Sequence, residues 1–179
     1  MREVRFAGFG GQGIIRSGII IGAAASLHDD RFATLTQSFG PEARGGACSA
    51  QVVVSDERVL YPYVTQPDIL VAMSQEAYAK YEAELKSGGL LVYDADLVHP
   101  KKKEEIKEFS IPATRFAEEL GNRIIANVVM LGFFSAVTDV VSKEAMKKAI
   151  PGFVPSRFVE LNMKAFDKGY DYGKEVSKS

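Results

Sequence analysis

The chain has 179 residues, of which 46% are apolar and 25% are charged, and its formal net charge is −1. This size suits one well-buried domain, and the near-neutral charge excludes a general electrostatic attraction to nucleic acid. The single cysteine, Cys48, excludes an internal disulfide and any CxxC pair for zinc or an iron–sulfur cluster, so we do not expect an electron carrier.

No stretch of the sequence predicts a membrane anchor or a secretion signal. The apolar run at the start is too short for a signal peptide. Residues 123–141 look long enough to span a bilayer, but Asn127, Gly132 and Asp139 interrupt the apolar run. This favours a buried core or interface helix. We therefore expect a cytoplasmic protein without membrane contact.

Strand-like and helix-like segments alternate along the chain. We predict strands at residues 3–9, 31–38, 47–55, 68–74 and 90–98, and a short one near Phe109. We predict helices at residues 14–27, 75–86 behind Ser74 as N-cap, 113–120, 123–141, one behind Ser142 as N-cap, and 156–168. Alternation of this kind implies parallel strands with right-handed crossovers.

The predicted fold is a single three-layer, Rossmann-like α/β domain. A mainly parallel sheet carries helices on both faces, and the domain spans residues 1–179. The polar tail at residues 170–179 is expected to fray.

The sequence GFGGQG, residues 8–13, follows the first predicted strand and opens the first helix. Gly8, Gly10 and Gly13 match GxGxxG in that setting, where free backbone N–H groups and the helix dipole favour an anion. A dinucleotide site also needs an acid at the end of the second strand, which here ends in TLTQS. Three interpretations stay open: NAD, another phosphate-bearing ligand, or a structural or subunit-packing role.

A second glycine-marked loop, QSFGPEARGG, covers residues 37–46 and should lie at the carboxyl edge of the sheet, where ligands and partners dock. The planar guanidinium of Arg44 suits a phosphate or carboxylate on another molecule, and an internal ion pair with Glu42 or plain exposure is the alternative. The candidate binding residues of the two loops are Gly8, Gly10, Gly11, Gln12, Gly13, Arg44, Gly45 and Gly46.

The sequence contains no convincing catalytic or metal-binding set. His28 and His99 have no serine or cysteine partner at a suitable spacing, and both are expected at the surface. Asp94 and Asp96 resemble an acidic pair, but a turn at a sheet edge uses the same residues for capping. Cys48 lies in a predicted strand and is expected to be buried and inert. We therefore assign no catalytic residue and no metal ligand to this chain.

Several segments together resemble the gamma subunit of the 2-oxoacid:ferredoxin oxidoreductases. They are GFGGQGI, QSFGPEARGG followed by SAQVVVSDE, YPYVTQPDILVAMSQEAYAKY and GGLLVYDADLV. The resemblance is strong over residues 2–98 and looser over the remainder, which includes NVVMLGFF. The combination LTQSFGPEARGG is most similar to the 2-oxoglutarate branch.

The resemblance implies a subunit of an enzyme that oxidatively decarboxylates a 2-oxoacid to acyl-CoA and passes the electrons to ferredoxin. Thiamine diphosphate and iron–sulfur clusters are then expected on partner subunits, one thiamine-binding and one ferredoxin-like, with no cofactor bound tightly by this chain. The resemblance implies that the two glycine loops contact either coenzyme A phosphates or the thiamine-binding subunit. The isolated chain is expected to be inactive, and its apolar inventory suits burial against partner subunits. Whether the isolated chain forms a homodimer stays open.

Three other functions stay open at this point. The first is a gamma subunit for pyruvate or another 2-oxoacid. The second is a freestanding Rossmann-like nucleotide-binding domain, and a third reading has the glycines merely allowing close subunit packing in an interaction scaffold.

Overall fold

The computed structural model describes residues 1–39 and 46–178, and its centre is a six-stranded sheet. The strands are β1 Arg2–Phe9, β2 Phe32–Ser38, β3 Ala47–Ser55, β4 Ile69–Ala72, β5 Leu90–Asp94 and β6 Lys107–Ile111. Their order is β2-β3-β1-β4-β5-β6. Strand β3 is antiparallel to both of its neighbours, whereas the pairs β1–β4, β4–β5 and β5–β6 are parallel. The sheet is therefore mainly parallel, as the alternation predicts.

Helices cover both faces of the sheet. They are α1 Ile14–His28, α2 Gln75–Tyr81, α3 Ala113–Glu119, α4 Ala126–Val137, α5 Lys143–Ala149 and α6 Val159–Val176. Strand residues such as Phe6 contribute to a large core with α1 and α3 to α6, and the next residue along β1, Ala7, packs in a smaller cluster with α2 on the opposite face. The predicted three-layer α/β fold is thereby confirmed.

Strands β1 and β4 lie between two helical layers, which explains their composition. Because side chains alternate across a strand, a strand covered on both faces needs apolar residues at successive positions. All four residues of β4 are buried, and so are residues 4–8 of β1. Arg5 is the charged residue of this run, and its side chain is nevertheless only 4% exposed.

The apolar segment predicted as one helix over residues 123–141 forms a 3-10 turn and the shorter helix α4 instead. Helix α4 ends at Val137 because the N–H and hydroxyl of Thr138 both donate to the carbonyl of Phe134, at 3.0 and 2.8 Å, while Thr138 turns to extended backbone. The predicted cap of the next helix is confirmed: the Ser142 hydroxyl accepts from Ala145 N at 3.1 Å. No helix in the described part of the chain is long and apolar enough to cross a bilayer.

Other predicted bounds differ too, among them the helix expected over residues 75–86, whose α-helical part ends at Tyr81 and is followed by a 3-10 turn over Glu82–Glu84. The strand expected over residues 90–98 ends at Asp94, because the Asp94 carboxylate accepts from Asp96 N at 3.0 Å and turns the chain. The last helix, expected over 156–168 with a frayed tail from 170, continues to Val176. Its extra turns are held by packing, since the ring of Tyr172 lies edge-on to Phe116 with centroids 5.3 Å apart.

Candidate functional site: the glycine turn at the carboxyl edge of the sheet

Residues 10–13 form the turn between β1 and α1, at the edge where the parallel strands end. The antiparallel register places Phe9 opposite Ala47, so Gly46, which immediately precedes β3, lies beside this turn. The fold thus brings a member of each predicted glycine loop to one edge. Arg44 and Gly45 lie outside the described residues.

Gly8 and Gly13 are glycines because their surroundings leave no room for a Cβ. A Cβ at Gly8 would lie 2.5 Å from Oε1 of Gln12 and 2.6 Å from Cδ1 of Ile14. Gly13 has a left-handed φ of 74°, which non-glycine residues rarely adopt, and a Cβ there would lie 2.6 Å from Nδ2 of Asn127. At these two positions the motif serves packing between β1, α1 and α4.

Gln12 holds the turn in place. Its Oε1 accepts from Phe9 N at 2.7 Å, and its Nε2 donates to the carbonyl of Met73 at 3.0 Å. The side-chain amide therefore joins the ends of β1 and β4. Both ends of the amide are engaged within the chain, so Gln12 acts as a positioning residue.

Gly10 and Gly11 differ from the other glycines of the turn, because both are exposed and no atom of residues 1–39 or 46–178 lies within 4 Å of a Cβ placed on either. Gly11 has a φ of 94°, in the left-handed region. The turn leads into the 15-residue helix α1, whose first N–H groups have no partner one turn earlier and whose dipole favours an anion. Here a ligand or a partner subunit can approach the backbone closely.

A pocket of about 190 Å³ adjoins the exposed side of the turn. Its lining residues are Gly11, Gln12, Thr114, Arg123, Ile124 and Ala126. Arg123 supplies a cation at this rim, with its guanidinium 3.7 Å from the carboxylate of Glu118 and its side chain 66% exposed. Sequence reasoning missed Arg123, since nothing in the local pattern connects it to a turn more than a hundred residues earlier.

The acidic pair at the end of β5 is a capping structure, as one of its two interpretations predicts. The Asp94 carboxylate is fully buried and accepts from the N–H and the hydroxyl of Thr114 at 2.9 and 2.7 Å. Asp96 pairs with Arg115 at the surface, and the hydrogen bond to Asp96 raises the pKa of that guanidinium. These contacts fasten α3 to the sheet edge.

The remaining titratable candidates do not assemble into a centre. His28 is exposed, and His99 is exposed with its backbone N–H donating to Oε1 of Gln75 at 2.7 Å. Burial raises the pKa of the Cys48 thiol, which keeps it protonated at neutral pH and unreactive. Within residues 1–39 and 46–178, no three His, Cys, Asp or Glu side chains are grouped to hold a metal ion.

The strand order also bears on the dinucleotide interpretation. In that fold the second strand lies next to the first and its terminal acid reaches the ribose. Here β3 lies between β1 and β2, so the end of β2 is two strand spacings, roughly 10 Å, from the end of β1. This geometry, together with the uncharged end of β2, disfavours NAD.

Comparison with known proteins identifies the family. The family model described as pyruvate ferredoxin/flavodoxin oxidoreductase matches residues 3–172. The chain belongs to this family. Among curated members of the pyruvate ferredoxin/flavodoxin oxidoreductase family, the chain is 51% identical to 2-oxoglutarate synthase subunit KorC of Methanocaldococcus jannaschii, over 98% of this chain and 95% of that protein. The resemblance to the gamma subunits, nearest to their 2-oxoglutarate branch, is confirmed.

Solved structures of family members share the fold. A keto/oxoacid ferredoxin oxidoreductase gamma subunit from Geobacter sulfurreducens superposes with a TM-score of 0.86 at 44% identity, covering 97% of this chain and 98% of that one. The 2-oxoglutarate:ferredoxin oxidoreductase of Magnetococcus marinus, solved with 2-oxoglutarate, coenzyme A and succinyl-CoA bound, gives a TM-score of 0.89 at 29% identity. That match covers all of this chain and 32% of the longer chain, so in that enzyme the same domain is part of a larger polypeptide.

Proposed function

We propose that this chain is the gamma subunit of a 2-oxoglutarate:ferredoxin oxidoreductase, which converts 2-oxoglutarate to succinyl-CoA and passes the electrons to ferredoxin. The observation that carries the proposal is the near full-length match to a KorC protein at 51% identity. The activity belongs to the complex. Among its described residues this chain offers no grouped metal ligands and, in Cys48, one buried thiol.

Thiamine diphosphate and iron–sulfur clusters are therefore assigned to other subunits, one thiamine-binding and one ferredoxin-like. One cysteine in the whole sequence does not fit the four thiolates that a cluster requires. When bound to its own subunit, thiamine diphosphate supplies the carbanion chemistry of the decarboxylation. The role left to this chain is to complete the assembly and to contact a substrate.

The contact that we propose is with an anionic part of coenzyme A at the exposed half of the glycine turn. Gly10 and Gly11 leave the backbone accessible, the N-terminus of α1 favours negative charge, and Arg123 adds a cation to the same rim. The binding set proposed from the sequence is refined accordingly. Gly8, Gln12 and Gly13 shape the turn, while Gly10, Gly11, Gly46 and the loop residues Arg44 and Gly45 are assigned to the contact.

A substitution at Gly10 tests this contact in the reconstituted complex. Because a Cβ at Gly10 meets no atom of the described residues, Gly10→Val should fold normally and yet obstruct close approach to the backbone. We expect the KM for coenzyme A to rise about tenfold or more, which corresponds to about 1.4 kcal/mol of lost binding, with the KM for 2-oxoglutarate unchanged. Gly152→Val is the matched control, because Gly152 is exposed and its Cβ also meets nothing.

Three further measurements complete the test. Arg44→Ala should also raise the KM for coenzyme A, and an unchanged value would leave Arg44 without a part in binding. Assaying the wild-type complex with 2-oxoglutarate and with pyruvate assigns the substrate; a preference for pyruvate would contradict the 2-oxoglutarate assignment. Turnover by the purified chain alone would contradict the whole proposal.

A further inference from the structure

Residues 57–66, which we name the β3–β4 segment, connect β3 to β4 without forming a helix or a strand. Most of the segment lies in solvent, and Leu60, Tyr61 and Tyr63 are 87%, 65% and 58% exposed. Val64 is the one buried residue of the segment, at 3% exposure. The segment is therefore attached to the sheet at a single point.

Two hydrogen bonds hold Val64 on the sheet. Its N–H donates to Oε1 of Gln51 in β3 at 3.2 Å, and its carbonyl accepts from the guanidinium of Arg5 in β1 at 3.0 Å. Within the part of the chain that the structure describes, residues 58–66 make no other hydrogen bond to the rest of the protein. Val64 also lies outside both apolar clusters of the core. The attachment therefore depends on these polar contacts more than on apolar burial.

The face of the sheet beneath Val64 is polar. Arg5 lies directly opposite Gln51 in the pairing of β1 with β3, so the two side chains share a face. Because side chains alternate across a strand, Ser49 lies on the same face of β3. The register of β2 on β3 places Thr34 on this face as well.

Several polar atoms of this face are buried without a partner. The buried side-chain atoms to which no described residue forms a hydrogen bond include Nε of Arg5 and the hydroxyl oxygens of Thr34, Ser49 and Tyr81. Tyr81 belongs with Arg5, whose guanidinium lies 4.6 Å from the centroid of its ring. A buried polar atom of this kind lowers the stability of the closed arrangement, because it has lost water without gaining a partner.

We propose that the β3–β4 segment opens from the sheet while the rest of the domain stays folded, and that hydration of the polar face favours the open state. Opening breaks the two hydrogen bonds of Val64 and exposes one valine side chain, whereas it lets water reach polar atoms that lack partners. The free energy of opening is therefore far below that of global unfolding. This inference does not depend on the proposed function.

The open state uncovers a buried cation without moving it. Glu84 pairs with Arg5, and the ring of Tyr81 packs against its guanidinium, so both contacts can persist when the carbonyl of Val64 leaves. The fold thus contains a local conformational change that brings the guanidinium of Arg5, 4% exposed in the closed state, into contact with solvent.

Amide hydrogen exchange of the full-length chain, followed by NMR, measures the opening, because the N–H of Val64 exchanges when its bond to Gln51 breaks. Val71 is the reference, since it is fully buried in β4 and that strand is paired on both sides. We expect the amide of Val64 to be about a hundredfold or more less protected than the amide of Val71. Equal protection of the two amides would overturn the proposal, because opening would then require global unfolding.

Removing unpartnered hydroxyls distinguishes this opening from the motion of an ordinary loop. The double variant Thr34→Val, Ser49→Ala deletes two hydroxyls that opening would hydrate, so the amide of Val64 should become about tenfold more protected. Ser135→Ala is the matched control, because it deletes an unpartnered hydroxyl in α4 and should leave the protection of Val64 unchanged.

Two outcomes of the substitutions would overturn the proposal. The first is an unchanged protection of Val64 in a double variant that keeps the wild-type protection of Val71 and is therefore folded. The second is an equal rise of Val64 protection in the Ser135→Ala control, because the effect would then not come from the polar face. Ser49→Ala alone is the smaller change and should shift Val64 in the same direction, so it replaces the double variant if that variant fails to fold.

Discussion

The close crossing of α4 and α6 makes a sharp prediction for Gly132. A Cβ at Gly132 would lie 2.9 Å from the backbone nitrogen of Tyr170 and closer still to the carbonyl oxygen of Phe166. These atoms belong to the backbone of α6 and cannot move aside as a flexible side chain would. Gly132→Ala must therefore push the two helices apart.

The magnitude follows from two opposing effects. Alanine in a helix is intrinsically better than glycine by up to about 1 kcal/mol, whereas overpacking a core typically costs about 1–3 kcal/mol and more when the backbone must shift. We expect a net loss of about 2 kcal/mol. For a domain of this size, that lowers the midpoint of thermal unfolding by about 4–8 °C.

Thermal and urea unfolding of the purified chain measure the effect, and Gly22 provides the control. Gly22 lies in helix α1, and a Cβ there would meet no atom within 4 Å. Gly22→Ala should therefore raise the free energy of unfolding by roughly 0.5–1 kcal/mol. If Gly132→Ala were as stable as the unmodified chain, or moved in the same direction as the control, the close crossing would be wrong.

Three further substitutions test the contacts of two side chains by urea unfolding. Gln12→Ala leaves the N–H of Phe9 and the carbonyl of Met73 without their partners and should lower the free energy of unfolding by about 1–3 kcal/mol. Gln12→Glu keeps the acceptor for Phe9 and should recover part of that loss. An alanine variant as stable as the unmodified chain would refute the role of Gln12 in joining β1 and β4. Burial of Tyr78, together with the hydrogen bond that its hydroxyl donates to Glu82, raises the pKa of Tyr78 from 10.0 to about 12. Because this tyrosine ionises at lower pH in the unfolded chain than in the folded one, the folded state loses stability as the pH rises from 10 to 12. Tyr78→Phe should decline less over that range, and an identical decline would contradict this account.

The sequence by itself determined the fold class, the order of the elements and the family. Strands and helices differ in the spacing of apolar residues, and helix starts depend on local chemistry, so these features can be read from neighbouring residues. The caps at Ser74 and Ser142 are examples, since each hydroxyl accepts from a backbone N–H three residues later. The glycine turn was predicted in the same way, from a strand followed by GFGGQG and a helix.

Only the tertiary structure decided which glycines of that turn are exposed and which strands lie at the edges of the sheet. Asn127 occupies the space beside Gly13, whereas no described residue occupies the space beside Gly10, and this difference depends on a helix more than a hundred residues away. The insertion of β3 between β1 and β2, which makes β2 an edge, is likewise a pairing between segments distant in sequence. The physical reason is common to both: propensity and capping act between near neighbours, whereas strand pairing and close packing depend on which segments meet once the chain has folded.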